Sequence, residues 1–426
     1  MSKNHYQKFT RISGQTLFPL LTEEEQDFIR AKAHALRFTQ QELRQVCEIA
    51  RDLDMWGKAR IQQAWPDLPK DTIAGKEGKK RILKELRGYW ESLKSDAVCY
   101  PNETEDTGPP AQKLKLAMVE KQKLGLGFCP VASPRTRCCN LLTLDAIDNC
   151  GFDCSYCSIQ AFYHEDKIYF DQGFARKLRA LELDPDQTYH IGTGQSSDSL
   201  LWGNRHGILD ALCEFARANP NVILELKTKS KNVAYLLEHE IPANIICTWS
   251  LNTPAIIAHE EHRTATLEQR LEAARRVADR GILVGFHFHP MIRYDRWRED
   301  YAAIFTALQA RFDPAEVVMV SLGTLTYTRS VVKQIRRRGL KSRILQLPLV
   351  ESDGKLSYPD GTKLEMFSHA YQGLGAWHDE VFFYLCMENN RLWRPVLGRE
   401  YPTNEDFETA MKARYMEKIR RRGPSG

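Results

Sequence analysis

From Leu141 onward, six short apolar runs rich in β-branched and aromatic residues alternate with helical stretches. The runs are LLTLDAID, TYHIGTG, NVILELKTK, NIICTWSLN, LVGFHFHPMI and VVMVSLGTLT. Parallel neighbours can be joined only by a crossover connection, so this alternation calls for a parallel sheet with helices over it. One crossover helix is plain: Thr266 and Gln269 have capping-box spacing, Leu267, Leu271 and Ala274 share a face, and Gly281 follows the end. Wrapped with one handedness, six such units give an α/β fold, an open partial (βα)6 barrel over 141–345. A doubly wound open sheet is the competing architecture.

The remainder divides by pattern. Residues 1–96 read as a helical region, because TEEEQDFIRAKAHAL and TQQELRQVCEIARDL each open on a Thr cap and an acidic first turn. KKRILKELRGYWESL adds an amphipathic segment. Residues 97–140 are polar, punctuated by proline, and contain four cysteines; they read as a linker or ordered loop. Residues 346–426 read as a helical C-terminal extension whose basic tail, KIRRRGPSG, is disordered. No apolar run reaches the roughly 18–20 residues needed to cross a bilayer, and the N-terminus lacks a secretory signal pattern. The expectation is a cytoplasmic protein without a membrane segment.

Eleven cysteines in 426 residues are too few for a disulfide scaffold, and their number is odd. Six of them crowd one stretch: Cys129, Cys138, Cys139, Cys150, Cys154 and Cys157. The informative segment is C-G-F-D-C-S-Y-C, which directly follows the first expected barrel strand. It therefore falls on the carboxyl-terminal face, where parallel barrels gather their active sites. Three thiolates at this spacing can hold three irons of a [4Fe–4S] cubane and leave the fourth open to a small ligand. A zinc site completed by Cys138, Cys139 or a histidine is the other use of such a set; it would make the chain a non-catalytic, zinc-stabilised interaction protein.

The triplet, with an aromatic before its last cysteine, resembles the signature of the radical S-adenosylmethionine (SAM) superfamily. The stretch from about Asp145 to Trp297 further resembles the spore photoproduct lyase family. IGTGQSSDSL, LELKTKS, TWSLN, EEHRTATLEQRLEAARRVADRG and VGFHFHPMI carry this likeness, each on or just after an expected strand. The resemblance implies that Cys150, Cys154 and Cys157 ligate a [4Fe–4S] cluster and that SAM binds its open iron. Reductive cleavage would then give a 5′-deoxyadenosyl radical acting on a nucleic-acid base or lesion. It further implies that Tyr156 packs by the adenine, that the backbone of Gly192, Thr193 and Gly194 meets the methionine amino group, and that Ser197, Lys229 and Ser250 contact the cofactor. The implied partners are a DNA or nucleotide substrate and a flavodoxin- or ferredoxin-like electron donor. The alternative within enzymes is radical modification of a peptide or metabolite on a shared scaffold.

Two positions depart from the family. Where those lyases place a hydrogen-donating cysteine, two residues before the serine aligned with Ser197, this chain has Gln195. Where a radical-relaying tyrosine follows the last cluster cysteine, it has Ser158. Both changes remove the parts that return hydrogen to the product.

Other residues are read from pattern alone. His287 and His289 share one face of the fifth strand, with Phe286 and Phe288 on the other, so they are candidates for positioning substrate or moving protons. Glu225, Lys227 and Lys229 make one face of the third strand charged, as a cofactor-lined lumen requires. The C-x8-C-C spacing of Cys129, Cys138 and Cys139 matches no metal motif and reads as buried thiols, the alternative being an auxiliary cluster or zinc completed by a fourth ligand. Arg336–Arg338 and Arg420–Arg422 are short basic runs that read as solvated helix faces, the alternative being contact with a phosphate backbone.

Overall fold

The computed structural model describes residues 9–67, 75–95, 98–101, 114–129, 136–159, 167–352 and 354–422. Much of the proline-punctuated stretch and the last four residues of the chain lie outside these. Eight strands form the central sheet: β1 (Leu126–Phe128), β2 (Leu142–Leu144), β3 (Tyr189–Thr193), β4 (Val222–Thr228), β5 (Ile245–Ser250), β6 (Val284–Met291), β7 (Val317–Thr324) and β8 (Phe382–Leu385). Their spatial order is their sequence order. β2 to β8 are all parallel to their neighbours, and β1 alone runs antiparallel, on β2. A doubly wound sheet reverses strand order at a switch point; this one never does, so it curls as a partial barrel.

The sheet carries one parallel strand beyond the six expected. β8 lies within the stretch read as helical, because a short strand buried on both faces does not alternate and looks like any apolar run. β1 falls in the stretch read as linker; two glycines in LGLGF hide its strand character. The tail is corrected as well. Asn404–Arg422 is one helix, called α6 below, and it lies against β4, β7 and β8 with Phe407, Met411 and Tyr415 buried. Lys418, read as part of a disordered tail, is buried and donates to the Pro314 and Val317 carbonyls at 2.5 and 2.6 Å. Its methylene stem fills apolar space while its charge meets backbone oxygens, a pairing that charge counting along the sequence cannot show.

Ahead of the barrel, α1 (Glu23–Leu36), α2 (Gln40–Met55) and α3 (Gly75–Ser95) are helical. Thr22 and Thr39 each form a capping box, with Glu25 and Glu42. Thr266 and Gln269 do the same at α4 (Leu267–Asp279), the crossover between β5 and β6. The N-terminal helices share one continuous apolar core with the barrel. They dock through α5 (Arg329–Arg338), the helix after β7: Arg336 makes a two-pronged contact with the fully buried Asp52, at 2.8 Å on each prong, and Trp90 donates to the same carboxylate at 3.0 Å. Of the run Arg336–Arg338, then, Arg336 is an internal clamp. Arg338 is another, reaching Asp153 and the Cys154 carbonyl, and only Arg337 is exposed.

Candidate active site

At the carboxyl ends of the strands a cavity of about 600 Å³ opens. Cys150, Cys154 and Cys157 line it from the loop after β2. Two adjacent carboxylates pin that loop. Glu260 is buried; its backbone carbonyl accepts from Ser155 N–H at 2.8 Å, and its carboxylate takes the Ser155 hydroxyl, Tyr100 (2.8 Å), Ser342 (2.7 Å) and the Arg343 amide (2.9 Å). Glu261 pairs in a short antiparallel ladder with Cys154. Its carboxylate accepts from the Tyr156 hydroxyl and from Arg270 at 2.6 Å, with Lys229 at 3.3 Å. Burial alone would raise the Glu261 carboxyl, but Arg270 and Lys229 hold it down to about 2. Burial pushes the Cys154 thiol up to about 12 and Cys150 well above its ordinary value. Among the described residues no three His, Cys, Asp or Glu side chains already stand in metal-coordinating geometry, this triplet included. A site that closes as it loads is usual, since metal binding displaces thiol protons and orders its own ligands.

The expected cofactor residues meet at the same cavity. Gly192, Thr193, Gly194, Ser197, Lys229, Ser250 and Tyr156 all line it. Gly194 has φ +75°, and a Cβ there would stand 2.6 Å from Ser199 Oγ and 2.7 Å from its amide nitrogen, so only glycine fits this turn. The Ser197 hydroxyl is buried without a partner among the described residues, a donor free for a ligand. Lys229 donates to the Tyr156 hydroxyl at 2.6 Å and its ammonium lies 5.0 Å from that ring's centre, so these two side chains act as one wall. Ser250 accepts through its carbonyl from Arg270 at 2.8 Å.

Deeper in the barrel is a polar layer. Glu225 joins His190 on β3 at 2.9 Å, Thr248 on β5 at 2.6 Å and His287 on β6 at 2.7 Å. His289 meets Ser321 on β7 at 2.7 Å. Both candidate histidines therefore face the cavity. Burial, with Lys227 alongside, depresses His287 to about 4 and His289 well below its ordinary value, so both are neutral near pH 7. Burial would raise the Glu225 carboxyl, but His287 and His190 hold it well below the ordinary range. His190 was not singled out from sequence; the alternation of TYHIGTG, which puts His190 on the same strand face as Gly192, could have found it. Lys227 also lines the cavity and enters no ion pair with a described carboxylate. Gln195 and Ser158, the two departures, line it too.

Comparisons with known proteins follow the same outline. The spore photoproduct lyase family profile matches residues 148–357. A spore photoproduct lyase of Clostridium acetobutylicum is 26% identical over 164 residues, which is 37% of this chain and 48% of that protein. One from a Geobacillus species is 24% identical over 202 residues, 46% of this chain and 59% of its own length. The chain thus spans about half the length of the curated relatives it matches. Among solved structures, a cysteine-to-serine variant of spore photoproduct lyase superposes with TM-score 0.55 at 19% identity, covering 74% of this chain and 96% of that one. A spore photoproduct lyase complexed with dinucleoside spore photoproduct gives TM-score 0.53 at 18% identity over the same shares.

Proposed function

We propose that this protein, whose residues 148–357 match the spore photoproduct lyase family profile, is a radical SAM enzyme acting on a nucleic-acid base or base lesion. One observation carries the reading: three cysteines on a single pinned loop open onto the cavity that also presents Gly194, the unpartnered Ser197 hydroxyl and Lys229. The residues present fit the two groups. Cys150, Cys154 and Cys157 would hold the cluster; the glycine turn and Ser197 would hold the methionine end of SAM; Tyr156 with Lys229 would flank the adenine. When bound, the pair supplies reductive cleavage of a carbon–sulfur bond and a carbon radical that abstracts hydrogen.

The chain's own share is binding, orientation and exclusion of water. Glu260 and Glu261 hold the cysteine loop rigid. Neutral His287 and His289 offer imidazole nitrogens to a substrate without adding charge, and Lys227 supplies a cation for an anionic group such as a phosphate. A spore photoproduct lyase variant has been solved with bound AdoMet and dinucleoside spore photoproduct, which supports both the cofactor and the substrate class. A base within duplex DNA would have to be flipped out to reach this depth, at a cost of a few kcal/mol. The required electron would come from a flavodoxin- or ferredoxin-like donor.

Gln195 and Ser158 favour a second reading of the substrate. With no thiol at 195 and no tyrosine at 158, the scaffold suits a reaction whose product does not regain hydrogen by that relay, on a modified base, a peptide or a metabolite. Anaerobic reconstitution with iron and sulfide, followed by reduction in the presence of SAM, tests the main claim. The wild-type chain is expected to release 5′-deoxyadenosine, and Cys150→Ala/Cys154→Ala/Cys157→Ala none. A colourless protein carrying zinc at the triplet would overturn it. Adding dinucleoside photoproduct decides the substrate: efficient reversal to thymidine would remove the second reading.

A further inference from the structure

Cys129, Cys138 and Cys139 lack a fourth partner in the sequence around them, and the fold brings one. Cys386, directly after β8, lines the same cavity as those three. Backbone hydrogen bonds hold the contributing segments together. Cys129 N–H donates to the Leu141 carbonyl at 3.0 Å, and Arg137 N–H donates to the Glu388 carbonyl at 3.0 Å. Cys138 and Cys139 both open onto the cavity, although neighbouring side chains on an extended chain point to opposite faces. Asn140, at φ +50°, and Met387, at φ +57°, are non-glycine residues in the left-handed region, each directly after one of these cysteines. Such outliers persist where the surroundings over-determine the backbone, and they gather at functional sites. Asn149, at φ +67°, directly precedes Cys150 at the start of the triplet.

We propose that Cys129, Cys138, Cys139 and Cys386 form a second metal site, a four-thiolate centre for zinc or an iron–sulfur cluster. Tetrahedral sulfur sets of four select these two and little else. Four thiolates on such a centre leave a net negative charge, and two cations stand ready for it. Lys227 lies near enough to Cys386 to act on its charge, and Arg137, whose terminal nitrogens donate to Asn404 and to the Pro402 carbonyl, lines the cavity with a buried Nε that has no partner among the described residues. With all four positions filled by protein, the centre has no open place for SAM, unlike the triplet. It occupies the seam of the open barrel. Cys129 follows the first strand of the sheet and Cys386 the last, while the 137–140 segment between them also hydrogen bonds to Asn404 and Glu408 of α6. Loading the site would fasten the two edges of the sheet to each other beside the active cavity. As at the triplet, the thiols are not already in ligating geometry, so binding orders them.

The site can be read without the radical cluster. In the full-length Cys150→Ala/Cys154→Ala/Cys157→Ala protein the triplet can no longer hold metal, so metal that depends on the second set is read by itself. Anaerobic reconstitution with iron and sulfide is expected to leave about four irons per chain, or exposure to zinc about one zinc; the first identifies a cluster and the second a zinc centre. Adding Cys129→Ser and Cys386→Ser should abolish whichever is found. A triple variant that takes up neither metal, or whose metal content ignores the serine changes, overturns the proposal. Should these variants not fold, the wild-type chain answers by alkylation. Iodoacetamide should spare all four cysteines in the loaded protein and label them after chelation, and equal labelling in both states overturns the site. Absence of SAM cleavage by the wild-type protein would sink the radical reading and leave this one standing.

Discussion

The Ser197 hydroxyl is buried beside the glycine turn with nothing described to bond to. A buried unmet hydroxyl costs folding free energy, so a chain keeps one where a ligand will use it. Ser197→Ala should therefore leave the denaturant midpoint unchanged or raise it slightly, while weakening SAM binding by about 0.5–1.5 kcal/mol, read by equilibrium dialysis. Equal losses in stability and affinity would mean that the hydroxyl is structural. Below it, His287 stays neutral in the fold down to about pH 4, whereas an unfolded histidine takes its proton near 6.5. Between those values the unfolded state binds more protons, so stability falls as pH drops from 6.5 toward 4, by up to about 1.4 kcal/mol per pH unit for each such group. His289 acts in the same direction. Urea titrations across that window should show the slope, and His287→Gln should flatten part of it; a pH-independent midpoint contradicts the burial. The two histidines were legible because strand alternation alone puts them opposite Phe286 and Phe288. The Glu225 bridge that ties them to His190 was not, because it depends on which strands become neighbours.

Among the elements, α5 carries more than its sequence suggests. A run of three arginines looks solvated, yet Arg336 is spent on Asp52 and Arg338 on the cluster loop. One short helix thus joins the N-terminal helices to the triplet. Arg336→Ala leaves the fully buried Asp52 without its guanidinium, which should cost about 3–5 kcal/mol in chemical denaturation. Restoring most of that loss with Asp52→Asn in the same chain would assign it to the stranded charge; a loss under about 1 kcal/mol, the range of an exposed pair, would contradict the clamp. Charge runs report composition, and only tertiary partners separate a clamp from a solvated face. The capping boxes are the opposite case. Thr22, Thr39 and Thr266 each bond residues within their own first turn, so the local sequence contains the whole interaction.

For the molecule as a whole, the six repeats from Leu141 already implied a parallel sheet wound in one direction, since crossover chemistry admits little else. The seventh parallel strand, the antiparallel edge and the continuation of the closing helix α6 through its basic end escaped because each is decided by what covers the barrel's open side. Cys386 escaped for the same reason: it lies 247 positions beyond Cys139 (386 minus 139) and becomes its neighbour only when the sheet curls. At this scale the strand ends matter most, since every residue assigned to the cofactors lies at one rim of one cavity.

The proposal that a cluster at the triplet keeps one iron open can be tested most directly by electron paramagnetic resonance of the reduced, oxygen-protected protein, recorded before and after SAM is added. A cluster held only by Cys150, Cys154 and Cys157 will change its signal when SAM arrives, and the sample will then contain 5′-deoxyadenosine. A spectrum indifferent to SAM, with no nucleoside released, would contradict a three-thiolate cluster with a place left for the cofactor.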